Sequence, residues 1–172
     1  MIELLRKRRS IRKFQNKPIE PGKIQRLEEA LLRSPSSRNF DPWHFIFVNK
    51  PAILEKLSKA KKHGSAFLKD ASLGIVVCGD DQVSDVWIED CSIASILVQI
   101  TAQSLGLGSC WVQIRKRMYN EETASEIYIQ KILEIPHSLN VLSIIGVGYP
   151  IEHPEPIPAE KLKANRIHIN RW

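Results

Sequence analysis

Arg8-Arg9-Ser10-Ile11-Arg12 is the densest collection of anion-binding chemistry in the chain. Guanidinium forks supply charge and paired donors, and a serine hydroxyl between them supplies a short neutral one, a combination suited to phosphate. Residues 1–17 hold Arg6, Lys7, Arg8, Arg9, Arg12, Lys13 and Lys17 against one acid, Glu3. The remainder balances at 18 basic and 18 acidic side chains, so the net charge of +6 is local to the N-terminus. A second polar stretch, Ser36-Ser37-Arg38-Asn39, offers hydroxyl and amide groups to the edge of a heteroaromatic ring. Together they suggest a small phosphate-bearing ligand, its phosphate met by Arg8, Ser10 and a late residue such as Arg166.

Other chemistries fit less well. Gly106-Leu107-Gly108-Ser109-Cys110-Trp111 begins like a dinucleotide fingerprint but has Trp at the third glycine position and follows a helix instead of opening one. No Walker loop and no nucleophile elbow are present. The three cysteines, Cys78, Cys91 and Cys110, are widely spaced in apolar surroundings, and no His pair has ligand spacing. They read as buried structural thiols, with no metal site and no electropositive reactive cysteine. A basic nucleic-acid-binding module is the alternative of a different class. Such binders spread cations along a face and interleave aromatics. Here Phe14 is the one aromatic near the cluster, and Lys56, Lys59, Lys61 and Lys62 read as a solvated helix face. No nucleic-acid partner is expected.

The 172 residues suit one domain. No apolar run reaches the ~20 residues of a membrane helix, and the N-terminal charge is not followed by a secretory apolar segment, so a cytoplasmic protein is expected. Helices are predicted at Met1–Arg8, from Pro21, over Pro51–Lys62, from a Ser84 cap to Leu105, and over Asn120–Leu133. Strands are predicted at Trp43–Val48, Leu73–Cys78, Ser109–Ile114 and Val141–Val147. Cys91–Leu105 is small or apolar nearly all round, which predicts a central, buried helix. The pattern is that of a layered α/β-type domain without the regular alternation of a parallel doubly wound sheet. Residues 151–172 are too proline-rich to fold on themselves and should lie across another surface.

Taken in order, these motifs resemble the nitroreductase family of flavin enzymes. Arg8–Phe14 is similar to its R-x-S-x-R flavin motif, and Ser34–Trp43 to its P-S-S-x-N-x-Q-P-W loop, with Asp41 where Gln is usual. Trp87-Ile88-Glu89-Asp90, Gly106-Leu107-Gly108-Ser109 and Gly146-Val147-Gly148-Tyr149-Pro150 resemble further landmarks, so the likeness covers nearly the whole chain. The resemblance implies an α+β fold, a central mostly antiparallel sheet flanked by helices, in an intertwined homodimer. It implies a single FMN-binding domain over 1–172, with 151–172 embracing the partner. FMN would be held by Arg8, Arg9 and Ser10 and by Lys163 and Arg166 at the phosphate. Arg12 would lie at the pyrimidine side, Trp111, Val112 and Gln113 near the reactive edge, and Pro35, Ser36, Ser37 and Asn39 would come from the other subunit. The implied activity is hydride transfer from NADH or NADPH to a nitroaromatic, quinone or similar acceptor in ping-pong order, with no catalytic side chain because the flavin carries the chemistry. Flavin storage, dehalogenation and flavin fragmentation are the alternatives within that resemblance.

Overall fold

A computed structural model describes all 172 residues. Nine regular elements follow one another as α1 (Ile2–Lys7), α2 (Pro21–Leu32), β1 (Trp43–Val48), α3 (Pro51–Ser58), β2 (Leu73–Gly79), α4 (Trp87–Ser104), β3 (Gly108–Gln113), α5 (Ser125–Leu133) and β4 (Asn140–Gly148). The four strands form one sheet in the order β1-β2-β4-β3, and every pairing is antiparallel. This is the α+β arrangement the sequence implied.

The two central strands, β2 and β4, are nearly continuous apolar runs because both sheet faces are covered. Leu73, Ile75 and Val77 point into a core formed with α2 and α4. Val76 and Cys78 point into a second core beneath α3 and α5. A bulge skips Leu142 between the Val77↔Ser143 and Cys78↔Val141 pairs, which switches faces: Leu142 joins the first core, Val141 the second. On α4, Trp87, Cys91, Ala94, Val98 and Ala102 recur at helical spacing and pack on the sheet. Its outer face is not covered within this chain, and Ile93 and Ile96 are each 39% exposed. The helix is therefore one-sided here, where the sequence suggested burial all round.

Three element ends differ from the sequence reading for reasons of local hydrogen bonding. Helix α3 stops at Ser58, four residues short of Lys62. The buried Ser65 hydroxyl donates to the Ser58 carbonyl (2.8 Å), and the chain reverses through Gly64 at φ 82°. Asn120 does not cap α5: its side-chain oxygen accepts the Thr123 (2.7 Å) and Glu122 (3.1 Å) amides, closing a turn ahead of the helix. Ser84 likewise lies before α4, accepting the Val86 amide at 3.3 Å.

What positions the basic motif is an extended segment laid along the sheet edge. Ser10 bridges Ser109 in parallel fashion, the Ile11 amide donates to the Ser109 carbonyl (3.0 Å), and the Gln15 amide to the Tyr149 carbonyl (2.8 Å). The segment comes this close because β3 and β4 present glycines to it. A Cβ on Gly108 would lie 2.8 Å from Ile11 Cβ, and one on Gly148 2.9 Å from the Phe14 ring. Both approaches are closer than carbon atoms tolerate, so any side chain there would lift the motif off the sheet.

Candidate functional site

Extended backbone sends alternate side chains to opposite sides, and the motif divides accordingly. Arg8, Ser10 and Arg12 gather around the Cys110 thiol, with Lys61 arriving from the loop after α3. Arg9 points the other way and donates to the Glu155 carbonyl, pinning the start of the C-terminal tail. Ile11 fills the space above Gly108. The Arg12 amide donates to the Glu152 carboxylate (2.7 Å), a second tie between motif and tail. None of the Arg8, Arg12 or Lys61 cations has a carboxylate ion-pair partner within 4.0 Å.

The electrostatics of this cluster differ from the sequence reading. Cys110 is buried, as expected, yet its surroundings are electropositive. Burial pushes its thiol up, while Arg12, a Ser10 hydrogen bond, Arg8 and Lys61 pull it back. The net effect is upward, so the thiol stays protonated at neutral pH and serves as a floor to the site. Lys61 is displaced in the opposite direction, below the ordinary lysine range, first by burial and then by the nearby Arg117. An anion placed here would relieve the strain on Lys61 and keep the Cys110 thiol protonated. Cys78 and Cys91, by contrast, are pushed up to about 12 by burial and face only the core.

The Pro35–Asn39 loop is a separate construction. Arg38, Asn39 and Asp41 all adopt left-handed backbone, at φ 53°, 58° and 49°. Each such residue costs about 1–2 kcal/mol, so the loop needs external bracing. Ser36 donates its hydroxyl to Asp41 (2.6 Å) and accepts the Asp41 amide in return (2.9 Å). Asp at this position, where Gln is usual in the resembling loops, locks the turn internally and occupies the Ser36 hydroxyl. The second brace is Asp90 in the first turn of α4, which is only 3% exposed and accepts the Ser37 amide (2.9 Å) and the Ser84 hydroxyl (3.2 Å). Arg38 adds an exposed contact with Asp85 at 3.3 Å.

Asp90→Ala would leave the Ser37 amide and the Ser84 hydroxyl without an acceptor, at about 1–3 kcal/mol each. Tryptic cleavage after Arg38 in the folded protein should then accelerate about tenfold or more, whereas Asp90→Asn, which still offers an acceptor, should change it far less. An unaltered cleavage rate in Asp90→Ala would remove Asp90 from this bracing role.

The remaining sequence-nominated residues are dispersed. Trp111 and Gln113 turn to the α4 side of β3, joined by a 3.0 Å indole-to-amide hydrogen bond. Val112 faces the second core and is fully buried, so only its backbone could reach a ligand. Lys163 and Arg166 lie in the exposed tail, in and beside a short 3-10 turn. Within one chain, no hydrogen bond or ion pair joins the Pro35–Asn39 loop or the tail cations to Arg8, Ser10 or Arg12. Lys61, Cys110 and Asp90 were not nominated by sequence. Lys61 looked like one more solvated lysine, and only the early end of α3 turns it inward.

Comparison with known proteins places the fold in a family. The model of the nitroreductase family matches residues 5–75 and 60–149. A protein of Methanothermobacter thermautotrophicus, provisionally assigned as an NADH dehydrogenase/NAD(P)H nitroreductase, is 35% identical over 100% of this chain and 87% of its own length. Its Archaeoglobus fulgidus counterpart is 34% identical over 99% of this chain and 98% of its own. Among solved structures, an FMN-dependent nitroreductase from Clostridium difficile R20291 is 40% identical, covers 100% of both chains and superposes with a TM-score of 0.98. By family model, by identity along its full length and by fold, the chain belongs to the nitroreductase family.

Proposed function

We propose that the protein is an FMN-dependent oxidoreductase that takes hydride from NADH or NADPH and delivers it to a nitroaromatic, quinone or similar acceptor in ping-pong order. One observation carries this reading: Arg8, Ser10 and Arg12 share an edge of an extended segment, beside Lys61, with no ion-pair partner for any of the three cations. That donor set fits a phosphate and an electron-rich ring. FMN, when bound, supplies the hydride acceptance and donation, so no catalytic side chain is required. Arg8 and Ser10 hold its phosphate, joined by Arg166 and Lys163 from the tail. Arg12 faces the pyrimidine side, where it offsets the negative charge gained on reduction. Lys61 adds a further cation on the same side.

The reading calls for two chains. The Pro35–Asn39 loop of one copy and the basic motif of another complete each site, and residues 151–172 of each chain embrace the other. Two features support this arrangement: every residue from Glu155 to Trp172 is exposed, and α4 carries Ile93 and Ile96 on its uncovered face. Purified protein should show flavin absorption bands and oxidise NADH or NADPH when a quinone or nitroaromatic is supplied. Protein that neither carries nor takes up FMN would overturn the reading, and flavin without turnover would indicate storage instead.

A further inference from the structure

The first residues of the tail hold the basic motif in place. The Ile11 amide is taken by Ser109 on β3, the Lys13 carbonyl accepts the Ile151 amide (3.0 Å), and the Gln15 amide donates to the Tyr149 carbonyl (2.8 Å). Between these ties the Arg12 amide has no main-chain acceptor. Glu152 fills that gap with a carboxylate oxygen at 2.7 Å. A peptide N–H donating to a carboxylate makes a charge-assisted bond, roughly twice as strong as a neutral one. Ile11 is fixed at the same time against Gly108, where no side chain could come between them.

What this carboxylate leaves alone is as informative as what it binds. It shares a cavity of about 260 Å³ with Lys7 and Arg9, beside the most basic stretch of the chain. Yet no lysine or arginine nitrogen comes within 4.0 Å of it. Arg9 is drawn off to the Glu155 carbonyl, and the Arg12 guanidinium stays without an ion-pair partner. An acid whose task was neutralisation would sit on one of these cations. One that sits on a main-chain amide fixes backbone. Side chains alternate along extended backbone, so pinning Ile11 and the Arg12 amide together sets the direction in which the guanidinium leaves, without consuming its charge. We infer that Glu152 is a positioning residue for flavin reduction: by fixing the Arg12 peptide it aims the guanidinium at the pyrimidine side of the ring, where negative charge appears. The inference rests on the proposed function and adds to it a residue that acts through Arg12.

The test compares Glu152→Gln with Glu152→Ala in the full-length protein at saturating FMN. Both remove the same charge, but only Gln keeps a side-chain acceptor for the Arg12 amide. The readout is the midpoint potential of the bound flavin, which reports how tightly its reduced form is held relative to its oxidised form. Loss of the carboxylate's charge alone would raise the potential of both variants equally. Loss of aim lowers it in the Ala variant only. There the reduced flavin, relative to the oxidised, should bind about tenfold more weakly than in the Gln variant, a gap of about 30 mV for a two-electron couple. Removing Arg12 should erase the gap, so that Arg12→Ala/Glu152→Ala and Arg12→Ala/Glu152→Gln share one potential. The ties to Ser109, Tyr149 and Ile151 remain in every variant, and matching thermal midpoints of the apo-proteins check that the fold is kept. Equal potentials in the two single variants overturn the inference. So does a gap that persists without Arg12, because Glu152 would then act on the flavin by another route. Wild-type protein that takes up no FMN would instead remove the reading on which the inference stands.

Discussion

Arg8→Ala/Ser10→Ala is expected to purify without colour while keeping its fold. Arg8 has no ion-pair partner in the protein, and the Ser10 side chain hydrogen-bonds with the Cys110 thiol. What holds this segment to the sheet is backbone: the Ile11 and Gln15 amides and the side chains of Ile11 and Phe14, none of which the variant alters. The thermal midpoint of the apo-protein should therefore move little. For the ligand the loss is large. A charge-assisted contact to phosphate contributes about 1.5–3 kcal/mol and a neutral hydroxyl bond about 1 kcal/mol. Their joint removal weakens FMN by roughly a hundredfold to a thousandfold. Arg12→Ala should separate from this pattern, retaining more flavin but slowing its reduction, because its charge matters most when the ring becomes negative. Flavin fluorescence titration gives the affinities and stopped-flow absorbance the reduction rates. Undiminished FMN in the double variant would refute the phosphate assignment.

The basic motif was legible because it is local: charge, hydroxyl and alternation all lie within five residues, and an extended conformation is enough to put Arg8, Ser10 and Arg12 on one side. The strands were equally legible, since β1, β2 and β4 are short runs of β-branched and aromatic residues bounded by turn formers. What was hidden depended on side chains that redirect the backbone over a distance. Ser65 ends α3 by taking the Ser58 carbonyl, and only that early stop turns Lys61 inward, towards Cys110. Asp90 appeared as one more acid in the first turn of a helix. Its partner is the Ser37 amide, 53 positions away in sequence, and no local pattern announces such a tie. Arg9 belongs to the same motif as Arg8 but is drawn to the tail by the Glu155 carbonyl, which sequence spacing alone does not reveal.

Removing residues 156–172 is expected to convert the protein into a colourless monomer. The cut falls beyond the hydrogen bonds that tie the tail to the body of its own chain: the Ile151 amide on the Lys13 carbonyl, the Arg12 amide on the Glu152 carboxylate, and Arg9 on the Glu155 carbonyl. Past that point Ile157, Leu162, Ile167, Ile169 and Trp172 are exposed, Trp172 at 96%. Burying five such side chains against a second chain is worth on the order of 10 kcal/mol. Ordering the segment opposes this, and less so because φ is already fixed at Pro156 and Pro158 and short turns form at Ala159–Lys161 and Ala164–Arg166. In the proposed dimer these five side chains make up most of the apolar contact, and their loss leaves only Ile93 and Ile96 on α4, too small a face to hold the pair. The flavin should go with it, because Lys163 and Arg166 leave with the tail and because a lone chain does not bring its Pro35–Asn39 loop to its own basic motif. Lys163→Ala/Arg166→Ala in the full chain separates the two effects: it should remain dimeric by light scattering and bind FMN about tenfold or more weakly. A truncated protein that stays dimeric with full flavin would show that the tail neither clasps a partner nor reaches the phosphate.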